Sequence, residues 1–332
     1  MTIRLLRARS DDAVRLFADL PLLLPHPNEV PPPRFLARRL FHRHRHPFHE
    51  HAQVEYFLAF QGSKPVGGVA AILNHAHNVH WNERTCIFGF LRAVEDEKVW
   101  RVLFRAVEKW ARHKGCERLR GPCSFSTNEE CGLLVENFED PPYPLMSMNP
   151  PWYRDHLRDL GFQKAAGLLC YRVTSKRVSP GLERLAGRVS PRVRIRPILR
   201  KRSDARAMLE IYNQAWRGNE GFVPLTPAET EQYGRDLSLL IPNGLALVAE
   251  KGSRPVGMIA AVPDYNLALS ALRKRDWGLA MRAWRRPERM RVFLLGVLPE
   301  ARNRGIELQL VHRLLQNARR RGVREAELSW VL

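Results

Sequence analysis

The sequence predicts an α+β protein made of two successive copies of one domain, each a mixed central sheet flanked by helices. The first observation is an internal repeat, because residues 62–71 recur as residues 252–261, each time after a strand-like run. Both segments have Gly-Ser followed by a proline at a turn, which indicates a β-hairpin. A second pair of matching segments follows in the same order, 88–91 with 295–298 and 111–115 with 318–322. Each copy therefore runs hairpin, strand, long helix, strand.

Composition excludes several protein classes. The 332 residues fit about two domains, and 45% hydrophobic with 27% charged residues is ordinary for a folded soluble protein. The longest uncharged apolar run spans about eight residues, 66–73, where a membrane-spanning helix needs about 20. Five cysteines suit reduced thiols better than a disulfide scaffold. The amino end has no signal-peptide core, so we expect a cytoplasmic protein.

The apolar spacing defines the domain boundaries that we expect. The first long helix carries Val99, Leu103 and Val107 on one face, and Gly115 ends it. The second carries Leu308, Val311, Leu314 and Leu315 and ends at Gly322. We expect a first domain over residues 1–175 that closes with a strand at 168–173. A linker rich in Ser, Pro, Gly and Arg follows at 176–191, and a second domain over 192–332 opens with a strand at 193–198.

A basic turn in the second copy carries the strongest chemical signal. A buried strand, 294–298, runs into Pro299, and a long helix begins at Ile306. Free N–H groups at a helix start point toward an anion, the helix dipole favours negative charge, and glycine allows close approach. The turn between strand and helix contains Arg302, Asn303, Arg304 and Gly305. This pattern predicts a pyrophosphate site, the alternative being an exposed basic helix cap.

The first copy differs at the equivalent turn. Residues 94–98 contain three acids and no glycine. Acids stabilise a helix start, but they repel a pyrophosphate. We therefore expect the second copy, and not the first, to bind the cofactor.

The Arg302 turn resembles the acyl-CoA-binding motif of the GNAT acyltransferases, (Arg/Gln)-x-x-Gly-x-(Gly/Ala). Arg302 and Gly305 match, and Glu307 stands where the last small residue usually lies. Nearly the whole chain also resembles a group of bacterial double-GNAT proteins that includes the bacterial ceramide synthases. The residues behind this resemblance are His77, Asn78, His80, 121–122, 126–129, 132–133, 221–226, 263–264 and the Arg302 turn.

The resemblance implies tandem GNAT-like domains and transfer of an acyl group from acyl-CoA, as co-substrate, to an amine acceptor. A long-chain lipid amine is one acceptor that it suggests. GNAT units normally continue after the fifth core strand with another helix and two strands, often with a tyrosine that protonates the departing thiolate. The second copy lacks this region, so we expect it to be incomplete at its carboxyl end. Two alternatives would explain this: the chain is truncated, or the first copy or a partner supplies the missing layer.

GNAT chemistry is direct attack of a neutral amine on a thioester, which needs orientation, proton removal and oxyanion stabilisation. The strand 294–298 would offer a backbone N–H to the thioester oxygen. The expected cofactor site is Leu295, Val297, Arg302, Asn303, Arg304, Gly305 and Ile306. The expected acceptor wall is Asn213, Trp216, Asn219, Phe222 and Pro224. Glu129 and Asp264 are the candidates for a base or an amine anchor, the alternative being structural roles in a capping loop and a turn.

The charge suggests a competing class of function. Lys and Arg number 54 against 34 Asp and Glu, which gives a net charge of +20. Such a surface attracts polyanions, although an arginine-rich genome would also produce it. A basic amphipathic stretch within 264–291, longer than its counterpart in the first copy, suits a membrane surface, a long apolar substrate, or packing on its own domain. The alternative is therefore an inactive double-GNAT scaffold that binds nucleic acid or an anionic membrane surface. For either function, a peripheral location at the inner membrane is the alternative to a free cytoplasmic one.

Neither nucleic acid nor metal has a specific motif in the sequence. No helix-turn-helix, zinc finger or RNA-binding aromatic pattern occurs. Five histidines cluster between residues 41 and 51, but their mixed spacing and the interleaved arginines do not favour zinc. These are His42, His44, His46, His49 and His51, and a further group is His75, His77 and His80. Cys123 and Cys131 have no second pair, so we expect no metal; the oligomeric state is left open.

Overall fold

The computed structural model describes residues 2–42, 46–174, 181, 184, 193–199 and 202–331. It forms two compact units, the first comprising Met1–Ala165 with Gly221–Val223, and the second Ala166–Glu220 with Pro224–Leu332. Each unit is a sheet flanked by helices, which confirms the predicted tandem α+β design. Most of the expected linker 176–191 lies outside the described residues. Among the helices described, none combines the length and the apolar character that crossing a membrane requires.

The first unit has a five-stranded sheet in sequential order, antiparallel except for the parallel last pair. Its strands are β1 (Ile3–Arg7), β2 (Ala52–Gln61), β3 (Lys64–Asn74), β4 (Thr85–Ala93) and β5 (Arg118–Arg120). Its helices are α1 (Asp11–Ala18), α2 (Leu20–Leu23), α3 (Arg34–Leu40), α4 (His75–Trp81), α5 (Glu97–His113) and α6 (Trp152–Asp159), with a 3-10 turn at Pro47–Glu50.

Two predicted elements shape this unit. The hairpin β2–β3 turns between Gln61 and Lys64, where Gly62 has φ 61°, a left-handed conformation that glycine adopts without strain. Helix α5 begins at the N-cap Asp96 and buries Val99, Leu103 and Val107. This apolar face packs on the sheet, as the helical spacing predicted.

The second unit has a six-stranded sheet in the order β6-β11-β10-β9-β8-β7. Its strands are β6 (Leu169–Thr174), β7 (Val193–Pro197), β8 (Ala246–Lys251), β9 (Arg254–Pro263), β10 (Arg289–Val297) and β11 (Glu325–Val331). Its helices are α7 (Arg202–Ala215), α8 (Pro227–Leu240), α9 (Asn266–Arg273), α10 (Trp277–Arg285) and α11 (Ile306–Arg320), with a 3-10 turn at Pro299–Ala301. The predicted hairpin β8–β9, the strand β7 and the long helix α11 are confirmed.

Strand β6 lies in a different sheet from the one we expected. We placed it at the end of the first copy, whereas it pairs antiparallel with β11, with Thr174 opposite Glu325 and Leu169 opposite Val331. An unpaired strand edge presents N–H and C=O groups that any strand within reach can satisfy. The segment that precedes the linker therefore supplies an edge strand to the second sheet. Supply of missing structure by the first copy was one of the alternatives left open for the incomplete second copy.

A buried histidine makes the first unit sensitive to acid. Nδ1 of His26 lies 2.9 Å from the carbonyl oxygen of Met148, and Nε2 lies 3.0 Å from the hydroxyl of Tyr153. Both contacts are satisfied by a neutral ring that donates from Nδ1 and accepts at Nε2. Burial, and secondarily the charge of Arg92, lowers the pKa of His26 from 6.5 to about 4.

We expect the free energy of unfolding to fall by up to about 3 kcal/mol as the pH drops from about 6.5 to about 4. The unfolded chain takes up a proton on His26 in this window, while the folded chain does not. Denaturant unfolding at several pH values measures the effect. The variant His26→Gln should have lower stability at pH 7 and a flatter pH profile, while an unchanged profile would contradict the assignment.

Candidate functional site

The outer edge of β10 is open along its second half. β10 pairs in parallel with β11 only from Arg289 to Val292, whereas its antiparallel pairing with β9 continues to Val297. The β9 register shifts between Val292 and Leu294, which marks a bulge at Phe293. Beyond the bulge, no strand of the described chain pairs with this edge. Main-chain groups that point away from β9 in residues 294–297 are therefore not used by a neighbouring strand.

The hydrogen-bonding pattern between β9 and β10 determines which residues of β10 direct their main-chain groups toward this edge. The N–H of Leu298 donates to the carbonyl of Val256 on the β9 side, at 2.9 Å. Because hydrogen bonding alternates along an antiparallel pair, the N–H and C=O groups of Leu295 and Val297 point away from β9. The two strand residues expected in the cofactor site thus direct N–H groups toward the open edge.

The turn after β10 leads into a helix start without a side-chain cap. Asn303 and Gly305 have φ 60° and 72°, and α11 begins at Ile306. No side chain caps this helix, and among the described residues no acceptor is found for the N–H groups of residues 303–308. Residues 302–304 are exposed. Such a cluster of unpaired N–H groups at the positive end of a helix dipole suits an anion.

The two arginines of the turn differ in what they contact. Nε of Arg302 donates to the carbonyl of Val297 at 3.2 Å, and Nη2 donates to the carbonyl of Ala215 at 2.7 Å. Arg302 thus ties the turn to β10 and to the end of α7, which differs from the phosphate contact that we expected of it. Arg304 is exposed and has no ion pair among the described residues. Of the two side chains, Arg304 is the better placed to meet a phosphate.

Glu307 lies in the first turn of α11 and is partly exposed. A carboxylate there interacts favourably with the helix dipole of the free protein. The same charge opposes a bound anion. Glu307 therefore lowers the affinity that the turn would otherwise have for a diphosphate.

Trp216 lies directly against β10. A Cβ built on Gly296 would overlap the indole ring and would lie 3.1 Å from the Cβ of Ala215, so this strand position accepts only glycine while the ring stays in place. Trp216 also stacks on Tyr212, with ring centroids 5.1 Å apart. The indole of Trp216, one of the expected wall residues, is therefore held beside the open stretch of β10.

The other expected wall residues have different surroundings. The amide of Asn213 is used within the fold, because it donates to the carbonyl of Leu225 at 3.0 Å and accepts from its N–H at 2.9 Å. Asn219 is exposed, and Pro224 is partly buried. Asn213 shapes the chain before α8, where its side chain is not free for a substrate.

Phe222 belongs to the first unit, whereas the other four belong to the second. Its carbonyl accepts from Nε1 of Trp81 at 2.8 Å, and its ring lies 5.1 Å from the ring of His80. The neighbouring carbonyls of Gly221 and Val223 accept from Thr127 and Asn128. No sequence signal indicated that residues 221–223 would belong to the first unit.

Asp264 is fixed by structural contacts. Its carboxylate accepts from the N–H of Asn266 at 3.0 Å and lies 3.3 Å from Nε of Arg289. Burial raises the pKa of Asp264, and these contacts partly oppose the rise. Arg289 and Leu295 are six residues apart, or about 20 Å along β10. Asp264 therefore lies at the opposite end of β10 from its open stretch, and its role as a base or amine anchor stays a prediction.

Glu129 belongs to the loop after β5 in the first unit. Its N–H donates to the carbonyl of Ser126 at 3.2 Å, and the side chain is partly exposed. Its role as a base or amine anchor stays a prediction.

In the described part of the first unit, the equivalent helix start is capped and the equivalent strand edge is covered. Asp96 caps α5 by accepting from the N–H of Lys98 at 2.9 Å, which places a carboxylate at the helix start. The N–H of Cys123 donates to the carbonyl of Phe88 at 2.8 Å, and an added Cβ at Gly89 would overlap the carbonyl of Cys123. The chain after β5 thus covers the edge of β4. These contacts favour the expectation that the first copy does not bind the cofactor.

The first unit instead contains a cavity that the sequence did not suggest. It is lined by α1, α2, α3 and β4 together with later loops. Arg92 and Glu29 pair at its wall through two contacts of 2.7 and 2.5 Å. Phe17, Phe41 and Phe90 are among its apolar lining. A mostly apolar wall with a neutralised ion pair suits an uncharged ligand better than a phosphate.

Within the described residues, no group of three or more His, Cys, Asp or Glu side chains is arranged to hold a metal ion. His44 lies outside the described residues. Sγ of Cys123 lies 2.8 Å from Sγ of Cys131, and both cysteines are free thiols.

Comparison with known proteins identifies relatives over most of the chain. Residues 205–331 match the model of the Acetyltransferase (GNAT) family. The chain is 32% identical over 320 residues to Protein YghO of Escherichia coli (strain K12), covering 92% of this chain and 82% of that protein. It is 31% identical over 306 residues to the bacterial ceramide synthase of Caulobacter vibrioides (strain NA1000 / CB15N), covering 86% and 78%.

Solved structures agree with the fold. A tandem GNAT protein from the clavulanic acid biosynthesis pathway superposes with a TM-score of 0.55 at 13% identity, covering 99% of this chain and 90% of that one. A GCN5-related N-acetyltransferase from Sphaerobacter thermophilus superposes with a TM-score of 0.53 at 14% identity, covering 98% and 86%. At these identities, the likeness shows the tandem fold alone.

Proposed function

Because this chain belongs to the GNAT family of acetyltransferases, we propose that it transfers an acyl group from acyl-CoA to an amine and that its second unit binds the acyl-CoA. One observation carries the proposal. The open edge of β10 runs directly into an exposed turn and an uncapped helix start, so that N–H groups on strand and helix are available together.

The strand and the turn would bind different parts of acyl-CoA. The diphosphate would accept hydrogen bonds from N–H groups at Asn303, Arg304, Gly305 and Ile306, with the Arg304 guanidinium adding charge. The thioester would lie beside the N–H groups of Leu295 and Val297. Arg302 would hold the turn in shape through its bonds to Val297 and Ala215.

The reaction would be one displacement at the thioester carbonyl carbon. The amine nitrogen forms the new C–N bond, the C–S bond breaks, the amine loses a proton, and the CoA thiolate takes one up. An N–H from Leu295 or Val297 would stabilise the developing oxyanion, because a fixed donor costs no reorganisation. The edge of Trp216 beside Gly296 would restrict where the amine approaches. Glu129 and Asp264 stay the candidates for the group that removes the amine proton.

We further propose a long-chain lipid amine as the acceptor, which would give the enzyme a role in lipid metabolism. The name of the Caulobacter relative supports an amide-forming reaction on a sphingoid-type amine. Trp216 offers an apolar surface beside β10, at the place where an acceptor would enter.

The test combines a set of donors with a set of acceptors. Purified full-length chain is incubated with acetyl-, octanoyl- or palmitoyl-CoA and with a long-chain amino alcohol or a short water-soluble amine. Mass spectrometry then measures the amide product and free CoA. We expect amide with at least one long-chain donor–acceptor pair. Absence of amide with every pair, together with thermal stabilisation by DNA or anionic vesicles and not by acyl-CoA, would favour the inactive scaffold.

Removal of the acid at the helix start should strengthen CoA binding. Glu307→Gln removes a charge that would lie near the diphosphate, and the repulsion between two charges about 4 Å apart in water is about 1 kcal/mol. We expect the Kd of CoA, measured by calorimetry, to fall about fivefold. Glu288→Gln is the control, because Glu288 is exposed at the other end of β10 and its replacement changes the net charge equally. Equal effects of the two variants would show a general charge effect and contradict a diphosphate at this turn.

A further inference from the structure

The helices α9 and α10 form a hairpin that carries its large apolar side chains on the outside. The residues that it buries are small: Ala268 and Ala271 on α9, and Ala280 and Ala283 on α10. Exposed are Trp277 at 69%, Leu267 at 56% and Met281 at 54%. A helix that packs only on its own domain normally turns its largest apolar side chains inward.

Three exposed apolar residues of α10 share one face. Trp277, Met281 and Trp284 are spaced four and three residues apart, which aligns them on one side of a helix. Trp284 is 46% exposed, although its ring stacks on Tyr265 at 4.4 Å between centroids. Two exposed tryptophans and a methionine in one row make a contiguous apolar surface, which marks an interaction site.

Basic side chains surround this surface. Residues 266–286 contain Arg273, Lys274, Arg275, Arg282, Arg285 and Arg286, against one acid, Asp276. All six basic residues are exposed. Asp276 is engaged as the N-cap of α10, where its carboxylate accepts from the N–H of Leu279 at 2.9 Å. In the described part of the chain, no carboxylate pairs with Arg282, Arg285 or Arg286. The hairpin therefore presents apolar and positive groups on the same surface.

We propose that the α9–α10 hairpin binds the surface of a membrane that contains anionic lipids. Tryptophan prefers the interface between headgroups and acyl chains, and arginines beside it attract anionic headgroups. The basic residues around the apolar surface favour a membrane over a second copy of this chain. A second copy would bring an equally positive hairpin against them, and like charges repel. A nucleic acid would use the arginines but leave the apolar row exposed to water. The proposal does not depend on acyltransferase activity.

Vesicle co-sedimentation of the full-length chain tests the proposal. We expect binding to vesicles of phosphatidylcholine with 30% phosphatidylglycerol, and at least about tenfold weaker binding to phosphatidylcholine alone. The double variant Trp277→Ser/Met281→Ser should bind the anionic vesicles at least about tenfold more weakly. Leu239→Ser is the matched control in the same unit, because Leu239 is 76% exposed on α8; it should bind as the unchanged protein does.

A second pair of variants separates the local charge from the net charge. Arg282→Glu/Arg285→Glu should weaken binding to anionic vesicles, whereas Arg105→Glu/Arg112→Glu, which alters two exposed residues of α5 by the same charge, should not. Hydrogen exchange should slow in residues 266–286 when vesicles are added. Equal losses from both charge variants, or unchanged exchange in the hairpin, would overturn the proposal. Sedimentation velocity provides a further test. If the unchanged protein is an oligomer and Trp277→Ser/Met281→Ser is a monomer, the apolar face covers another copy of the chain, and the membrane proposal is overturned.

Discussion

Gly305→Val is expected to raise the Kd of CoA by about 100-fold or more. Gly305 has φ 72°, a backbone region that a β-branched residue strongly avoids. The variant must change the turn before α11, which moves the N–H groups that would contact the diphosphate. Hydrogen bonds to a charged group are worth about 1.5–3 kcal/mol each, so the loss of two has an effect of this size. Calorimetric titration with CoA measures it.

The other end of the same helix provides the control. Gly322 follows α11, has φ 87°, and has no atom within 4 Å of an added Cβ. Gly322→Val therefore introduces the same kind of backbone strain without touching the turn. We expect it to lower the thermal stability about as much as Gly305→Val while leaving CoA binding intact. Unchanged CoA binding by Gly305→Val would refute the assignment of the turn.

Gly296→Ala is expected to destabilise the second unit by about 1–3 kcal/mol, because the added methyl group overlaps the ring of Trp216. The effect should depend on the indole. In the double variant Gly296→Ala/Trp216→Leu, the smaller side chain makes room, so the loss should be less than the sum of the two single losses. Denaturant unfolding of the unchanged protein, the two single variants and the double variant measures the four free energies that the comparison needs.

Gly234→Ala is the matched control for the methyl group, because an added Cβ on this α8 glycine meets no atom within 4 Å. It should stabilise the helix slightly, by up to about 1 kcal/mol. Additive losses in the Gly296 cycle would show that the indole does not lie against β10. If Trp216 also bounds the acceptor, Trp216→Leu should raise the KM for the amine while leaving the Kd of CoA unchanged.

The local elements were predictable because their signals lie within short stretches of chain. The repeated Gly-Ser-x-Pro turns fixed both hairpins, and the apolar spacing with a terminal glycine fixed α5 and α11. The turn at Arg302 was also visible, since a strand, a basic glycine-containing bend and a helix follow one another directly. Each of these depends on residues within one or two helical turns of one another.

Contacts between distant parts of the chain were not predictable in this way. Strand β6 joins β11 although about 150 residues separate them, because the edge of β11 was unpaired. Phe222 contacts Trp81 and His80 in the first unit, although the sequence places it within the second copy. Asp264 lies at the far end of β10, although its position after a hairpin strand resembled that of an active-site residue.

The sequence by itself determined the duplicated design, the hairpins, the long helices and the turn that we assign to the diphosphate. Only the tertiary structure decided that the edge of β10 stays open while that of β4 is covered, and that Arg302 braces the turn. It also decided that the α9–α10 hairpin buries alanines and exposes tryptophans. Local propensity and the spacing of apolar residues determine the helices and strands. Which strand edge is covered and which helix face is buried depend on contacts with segments that are distant in the chain.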